Sequence, residues 1–186
     1  AVYALLGTLS VSSNYATIDH CIIDDSAYYG ICLNYCDYAV LVNNTICFNG
    51  STCELYIGSS VDSLSLRNNI IWANGAGRYC IYCYTSTLFA SDYNDLYATN
   101  GASVGYFSSA RATLNDWQTA TGLDAHSISA DPLLVDRDGP DNIAGNEDDD
   151  LHEQSTAGSW HGGAWTPDAQ NSPCIDAGSP ADAVGA

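Results

Sequence analysis

The sequence has no methionine and no lysine, and apart from histidine its only basic residues are four arginines. Against these stand 22 Asp and Glu residues, so the formal net charge is -18. The arginines, at positions 67, 78, 111 and 137, do not cluster into a patch that could neutralise phosphates. Nucleic acids and anionic membranes are therefore poor partners for this chain.

Long apolar runs are missing as well. No stretch approaches the roughly 20 residues of a membrane span, and no basic-plus-apolar leader is present. Hydrophobic residues nevertheless make up 46% of the chain and charged residues only 14%, which favours a folded core over disorder. We expect one folded domain over residues 1–186 without a membrane span.

The start at Ala1 and the absence of methionine favour a processed or excised segment. Scarce basic residues, abundant tyrosine and eight cysteines are typical of an exported protein, so we expect an extracellular or cell-surface location. Disulfides between successive repeats are expected under that interpretation, but the spacing does not decide the pairing. The cysteines are Cys21, Cys32, Cys36, Cys47, Cys53, Cys80, Cys83 and Cys174.

A repeat of 24 to 25 residues runs through the first hundred positions. A polar residue precedes an apolar strand at His20, Asn44, Asn69 and Asn94. Three apolar columns keep a similar step, and Asn-Gly pairs at 49–50, 74–75 and 100–101 supply corners with positive φ. The columns are Ile22, Ile46, Ile71 and Leu96; Leu9, Leu33, Ile57 and Tyr82; and Val40, Leu64 and Phe89.

Each repeat reads as three short strands separated by corners, which bury a core only when successive units stack. Leucine-rich repeats have a similar length, but their Leu-x-x-Leu-x-Leu signature and their helices are absent. The pattern predicts an all-β parallel β-helix. Stacked coils would place Asn44, Asn69 and Asn94 about 4.8 Å apart in a side-chain amide ladder that begins at His20.

The repeat, together with four later segments, resembles the right-handed parallel β-helix repeat proteins, pectate-lyase-like in architecture, found in large secreted bacterial surface proteins. The segments are SDYNDLY (91–97), LNDWQTATGLDAHSISADPLLVD (114–136), DRDGPDNIAGNEDDDLH (136–152) and SPCIDAGSP (172–180). The resemblance implies the fold but no single activity, because the family includes lyases, hydrolases, adhesins and proteins without a known role.

Residues 1–112 are predicted to form the regular coils. A short helix over 113–122 begins at the N-cap Thr113, ends at Gly122 and is expected to cover the side of the solenoid. Residues 123–186 are predicted to contain further strands near 131–135 and 151–153, an acidic insertion over 136–150, and a loop from Ser155 to Asn171.

The acidic insertion is the candidate metal site. It carries seven carboxylates in fifteen residues with one arginine to offset them, and flexible loops of hard oxygen ligands suit Ca²⁺. A solvated acidic loop that binds no specific cation is the alternative. The expected ligands, in an order that differs from an EF-hand, are Asp136, Asp138, Asp141, Asn142, Glu147, Asp148, Asp149 and Asp150.

Other reactive residue types give weaker patterns. Cys80 and Cys83 would point to opposite faces of a strand, so we interpret them as buried or disulfide-bonded rather than as a redox or zinc pair. The four histidines, at 20, 126, 152 and 161, are interpreted as structural. For an enzyme, the available carboxylate pairs are Asp24 with Asp25 and Asp92 with Asp95.

The strand-like start Ala1–Leu6 has no capping helix, and an uncapped coil recruits another chain. Head-to-tail stacking does not close, so it would produce a filament. The sequence therefore favours an extracellular structural module that is stabilised by calcium and self-assembles, possessing no assigned catalytic residue. A carbohydrate-active enzyme or a polysaccharide-binding module, with cell-surface polysaccharide as partner, is the alternative.

Overall fold

The computed structural model describes residues 8–48, 50, 52–84, 89–146 and 148–182. These residues wind into about four coils of a parallel β-helix, followed by a helix and two hairpins. The predicted all-β solenoid with one short helix is therefore confirmed. Residues Ala1–Leu6, on which the filament prediction depends, lie outside the described residues.

The strands of the first two coils are β1 (Leu9–Val11), β2 (Thr17–Asp19), β3 (Ile22–Ile23), β4 (Tyr29–Leu33), β5 (Cys36–Asp37), β6 (Val40–Val42) and β7 (Thr45–Cys47). Those of the later coils are β8 (Cys53–Ile57), β9 (Val61–Asp62), β10 (Leu64–Arg67), β11 (Ile70–Asn74), β12 (Tyr79–Cys83), β13 (Phe89–Asp92), β14 (Asp95–Thr99), β15 (Ser103–Phe107) and β16 (Ser109–Arg111). Then follow α1 (Leu114–Thr121), β17 (Leu134–Asp136), β18 (Asp150–Glu153), β19 (Ser159–His161), β20 (Ala164–Thr166) and a 3₁₀ turn (Pro180–Asp182).

Three parallel sheets of four or more strands run along the stack, because successive coils add a strand to each; β5 and β9 form a fourth, two-stranded parallel sheet. Sheet 1 has the order β1-β4-β8-β12-β15, with β16 antiparallel at its edge. Sheet 2 has the order β2-β6-β10-β13, and sheet 3 has the order β3-β7-β11-β14. Every interior strand therefore finds its backbone partners in the coil before and the coil after it.

The interior is filled by aliphatic columns, as the repeat predicts. Ile23, Ile46, Ile71 and Leu96 stack in register in sheet 3 and are all fully buried. The prediction that Ile22 begins this column is wrong, because Ile22 pairs with Thr45 and Ile23 pairs with Ile46. The first coil is shorter at this point than the later ones, so a constant period selects the neighbouring residue.

The other two columns are partly wrong for the same reason. Leu33 does stack on Ile57, and Leu64 does stack on Phe89. Leu9, however, pairs with Ile31, and Ile57 pairs with Cys83. Val40 pairs with Ser65. Tyr82 belongs instead to a column of stacked tyrosine rings that also contains Tyr29, Tyr56 and Tyr106.

The predicted asparagine ladder forms, and it is buried at the corner between sheets 2 and 3. The Nδ2 of Asn44 donates to Oδ1 of Asn69 at 3.0 Å, and Asn69 donates to Asn94 at the same distance. Each of these Oδ1 atoms also accepts the backbone N–H of the residue before it in the ladder. His20 does not begin the ladder; the N–H of Cys21 donates to Asn44 there.

The ladder ends on Asp124, a buried carboxylate that no sequence pattern identifies. Its Oδ1 accepts hydrogen bonds from Asn94, Ser91 and Ser127, and its Oδ2 accepts one from Nε1 of Trp117 at 2.8 Å. These four donors replace the hydration that the charge loses on burial. Asp124 therefore joins the last coil to α1.

Helix α1 closes the end of the stack rather than only covering its side. Thr113 and Asp116 form a capping box, and Gly122, with φ 72°, ends the helix. Trp117 is fully buried in the central core, and its ring lies where a side chain on Gly105 would be. Gly105 stacks on Ile81 in sheet 1, so the indole ring takes the place of the next aliphatic side chain.

The C-terminal region packs on the outer face of sheet 3. Strands β17 and β18 pair antiparallel and overlap the two predicted strands, although β17 begins at Leu134 rather than near residue 131. Leu134 and Leu151 contact Cys47 and Trp72. The predicted loop from Ser155 to Asn171 contains a second hairpin, β19 with β20. Gly162 and Gly163, both with positive φ, form its turn. The polar composition of the segment predicted a loop, but the two glycines permit the tight turn of a hairpin.

Candidate functional site

A cleft of about 620 Å³ lies along the corner between sheets 2 and 3. One wall is formed by the corner residues of successive coils, from His20 to Tyr93. The opposite wall is formed by the C-terminal segment 174–182. Concave sites of this size with converging polar groups are the usual places where proteins bind small ligands.

The coil wall of the cleft repeats from coil to coil. His20, Asn43, Asn68 and Tyr93 occupy equivalent corner positions, with φ between 52° and 57°. Asparagine tolerates this left-handed conformation better than most residues, which explains its use at the two middle corners. The Nδ2 of Asn68 donates to Oδ1 of Asn43 at 3.2 Å, so a second, outer amide ladder runs beside the buried one.

The opposite wall is tied to the coils by polar contacts. The N–H of Ser179 donates to Oδ1 of Asn68 at 2.7 Å, and Nε of Arg67 donates to the carboxylate of Asp182. Gly178 lies against the Asn68 side chain, where an added Cβ would be only 3.4 Å away. Segment 174–182 is therefore a part of the cleft with defined contacts to the coil corners.

Asp95 is the most deeply placed carboxylate of the cleft, with 4% of its surface exposed. Its Oδ1 accepts the N–H of Ala130 at 3.0 Å, and its Oδ2 lies 3.2 Å from the thiol of Cys174. Burial raises the pKa of Asp95 to about 6, against the lowering effect of these two hydrogen bonds. The negative charges of Asp131 and Glu153 raise it further.

Glu153 brings a second carboxylate to the same place. It lines the cleft at the end of β18, and Oγ of Ser172 donates to its Oε1 at 3.2 Å. Burial raises its pKa, although hydrogen bonds from Ser172 and Cys174 oppose the shift. The Cys174 thiol lies 3.2 Å from Oδ2 of Asp95 and also hydrogen-bonds to Glu153, so both carboxyl groups lie close to one sulfur atom.

Cys174 itself is poorly suited to nucleophilic chemistry. Burial and the neighbouring charge of Asp95 raise the pKa of its thiol well above the ordinary value. A thiol that holds its proton is a weak nucleophile. Its contacts with two carboxyl groups therefore make it a hydrogen-bond donor.

A histidine that lines the cleft, His126, contacts an aspartate. Nδ1 of His126 lies 2.7 Å from Oδ2 of Asp92, and the backbone N–H of His126 donates to Oδ1 of Asp92. Burial pushes the pKa of Asp92 upward, but the hydrogen bonds from His126 and Tyr93 outweigh it and the net shift is downward. The imidazole stacks on Tyr93 at 4.8 Å and remains largely exposed.

The carboxylate pairs expected from the sequence are not the ones that share this cleft. Asp92 and Asp95 are divided between β13 and β14, and each has separate partners. Asp24 lies at another corner, where burial, followed by the charges of Asp149 and Asp25, raises its pKa to about 6. Glu153 was missed because the sequence does not show that β18 folds back beside the fourth coil.

The predicted calcium ligands that the structure describes make hydrogen bonds within and beside the insertion, and the calcium site stays a prediction. Asp141 accepts the N–H of Ile143 and the amide of Asn146, whereas Asp150 contacts His152 at 2.6 Å. Asp149 accepts the N–H groups of Gly145 and Asn146 through Oδ2. In the ranges that the structure describes, no three His, Cys, Asp or Glu side chains are grouped to hold a metal. Glu147 lies outside the described residues; the remaining predicted ligands are Asp136, Asp138, Asn142 and Asp148.

None of the eight cysteines, all of which lie in the described residues, forms a disulfide, so the expected disulfides are absent from this structure. Cys36, Cys47, Cys53, Cys80 and Cys83 are buried, which agrees with the alternative interpretation of Cys80 and Cys83 as buried residues. Burial raises the pKa of the Cys53 and Cys80 thiols far above the ordinary value. These side chains behave as small apolar residues of the coils.

Ser159, His161 and Asp168 have the composition of a catalytic triad but not its geometry. Oγ of Ser159 lies 3.2 Å from Nε2 of His161, and the same nitrogen lies 3.0 Å from Oδ1 of Asp168. In a catalytic triad the serine and the carboxylate contact opposite ring nitrogens. Here Ser159 also donates directly to Asp168, so the trio stabilises a hairpin.

A family model described as a right-handed β-helix region matches residues 4–117. This chain belongs to that family. No curated protein and no solved structure matches it significantly. The match covers the coils and Asp95, whereas Glu153 and Cys174 lie beyond it, so half of the cleft is built from sequence that the family model does not describe. Among the described helices, none has the length and apolarity needed to cross a bilayer.

Proposed function

We propose that this β-helix is an extracellular carbohydrate-active protein whose cleft binds a glycan chain and cleaves a glycosidic bond. The observation that supports this most is the pair Asp95 and Glu153, two carboxyl groups with raised pKa values in one cleft. Strongly perturbed carboxyl groups in a cleft are candidates for acid–base chemistry.

The two groups fit the two roles that glycoside hydrolysis requires. With a pKa of about 6, Asp95 retains a proton in part of its population near neutral pH and can give it to the leaving glycosidic oxygen. Glu153, which also lies beside Cys174, would take a proton from the water that attacks the anomeric carbon. The outer amide ladder offers polar groups along the cleft for sugar hydroxyls.

The test measures the release of reducing ends from a panel of neutral and charged polysaccharides. We expect Asp95→Asn and Glu153→Gln each to lower kcat at least 100-fold with the fold intact. Asp24→Asn is the matched control, because Asp24 has the same exposed fraction and a similarly raised pKa but lies outside the cleft. Equal loss in Asp24→Asn, or full activity in Asp95→Asn, would reject the assignment.

A calcium-stabilised structural module is the second candidate, and one observation favours it. Oδ1 of Asp149 is buried and has no hydrogen-bond partner among the described residues. Burial raises the pKa of Asp149, as expected for a carboxylate that lacks a countercharge. A hard cation bound by the insertion 136–150 would supply that charge. EGTA should then lower Tm by several degrees; an unchanged melting curve argues for a solvated loop.

Self-assembly into a head-to-tail filament, with the chain as a homopolymer, has less support. Strand β16 pairs with the edge of β15, and Trp117 fills the adjacent interior, so this end of the stack presents no open apolar coil. Negative-stain microscopy of the purified chain tests the idea directly. Long fibres at high concentration would support it, and single particles would reject it.

A further inference from the structure

The charged side chains that line the cleft are mainly carboxylates. Asp95 and Glu153 lie inside it, and Asp176 and Asp182 belong to its C-terminal wall. Asp182 is engaged by Arg67, whereas Asp176 is exposed to solvent. The two imidazoles of the cleft, His20 and His126, each contact a carboxylate of their own.

None of the arginines, all four of which are in the described residues, neutralises the inner pair. The Arg67 guanidinium contacts Asp182, and that of Arg111 donates to the carbonyl of Phe107. The Arg137 guanidinium lies 5.4 Å from the centre of the Trp72 ring, and the Arg78 side chain lies beside Gly75. With no lysine in the sequence, Asp95 and Glu153 have no cation of the protein beside them.

Buried carboxylates without a countercharge are costly, and a cation that enters the cleft relieves that cost. A ligand carboxylate or sulfate would instead add a like charge in a site of low dielectric. The net charge of -18 acts in the same direction at longer range, since it attracts cations and repels polyanions.

We infer that the cleft is built for a glycan that carries free amino groups, such as a β-1,4-linked glucosamine chain, in preference to N-acetylated or uronate chains. This inference rests on the proposed glycan-binding function and adds the substrate class. The ammonium of one sugar would lie beside Asp95 and Glu153. Asp176, at the rim, would attract the next cationic unit.

The experiment is calorimetric titration of the intact chain with four probes: a glucosamine tetramer, its N-acetylated counterpart, a galacturonate tetramer and tetralysine. Each is measured at low and at raised ionic strength. We expect the glucosamine tetramer to bind at least 10-fold more tightly than its N-acetylated counterpart and the galacturonate tetramer not to bind. The preference should shrink as salt screens the charges.

Two charge variants locate the effect. Asp176→Asn should lower affinity for the glucosamine tetramer about 3- to 5-fold while leaving the N-acetylated tetramer unchanged. Asp62→Asn removes the same charge from an exposed corner outside the cleft and should change neither. An equal loss in both variants would mean that only the overall charge matters, which overturns the inference.

The outcomes separate this inference from the function on which it rests. If the N-acetylated or galacturonate tetramer binds as tightly as the amino tetramer, glycan binding stands and the preference for amino groups is wrong. If tetralysine binds as tightly, the cleft selects cationic peptides and the sugar assignment is wrong. If no probe binds and no polysaccharide is cleaved, both proposals fail.

Discussion

The coil stack and the C-terminal wrap (residues 112–182) are built on opposite principles. In the stack each residue meets its counterpart from the next coil, as in the column Ile23, Ile46, Ile71 and Leu96. In the wrap no segment repeats another, and hairpins and turns pack on the outer face of sheet 3. The stack supplies a rigid frame, whereas the wrap supplies side chains that occur once.

The candidate site lies where these two regions meet, at a boundary that we call the seam. Asp95 comes from the last complete coil, and Glu153 and Cys174 come from the wrap. Neither region alone would bury these groups: the wrap covers Asp95, and the coil provides the surface against which Glu153 packs. The burial that raises the pKa values of Asp95 and Glu153 therefore arises at the seam.

The largest expected effect comes from removing the contact that joins the two regions at the end of the stack. Trp117→Ala should lower the free energy of unfolding by about 4 kcal/mol, because it empties the space beside Gly105 and leaves Asp124 without one of its donors. Urea denaturation measures it. Trp165→Ala is the control, since Trp165 is 69% exposed. Equal losses in the two variants would mean that Trp117 does not link the regions.

The seam should also make stability depend on pH. The folded pKa of Asp95 is about 6, whereas its unfolded value is 3.8, so the folded state holds more protons between these values. Stability attributable to Asp95 therefore falls as pH rises from about 4 to about 6, by about 3 kcal/mol in all. Asp24 titrates in the same window, but it remains in both proteins when wild type and Asp95→Asn are compared.

The measurement is the free energy of unfolding of wild type and Asp95→Asn at several pH values. The difference between them should move in favour of the variant as pH rises through this window and stay constant above it. If the stability of the two proteins changes with pH in the same way, Asp95 is solvated and the seam does not raise its pKa.

A smaller effect is expected within the stack. Asn69→Ala should lower the free energy of unfolding by about 2 kcal/mol, because the N–H of Asn44 and the carbonyl of Leu41 lose their partner in the buried ladder. Asn115→Ala, on the exposed face of α1, should change stability little. If the two substitutions cost the same, the ladder is not what holds the corners together.

The regularity of the stack explains why the fold could be predicted from sequence. A repeated Asn and a repeated aliphatic position identify the coil, and Asn44, Asn69 and Asn94 were placed correctly. A constant period failed where coils differ in length: 22 residues separate Leu9 from Ile31, but 26 separate Leu55 from Ile81. His20 and Ile22 were misplaced by one residue for this reason.

The site could not be predicted to the same extent, because its contacts join residues far apart in sequence. Cys174 contacts Asp95 from 79 positions away, and no periodicity indicates that pairing. Asp92 and Asp95 are neighbours in sequence and therefore looked like a pair, but they lie on different strands. A signal for Glu153 did exist: this glutamate ends the strand predicted over 151–153, which comes directly after the acidic run.

The most direct test of the seam as the functional site is a crystal structure of the chain with a bound glucosamine tetramer. We predict a sugar within hydrogen-bond distance of Asp95 or Glu153, between the coil corners and segment 174–182. Sugar bound instead over the tyrosine column of sheet 1, with the cleft unoccupied, would contradict the account.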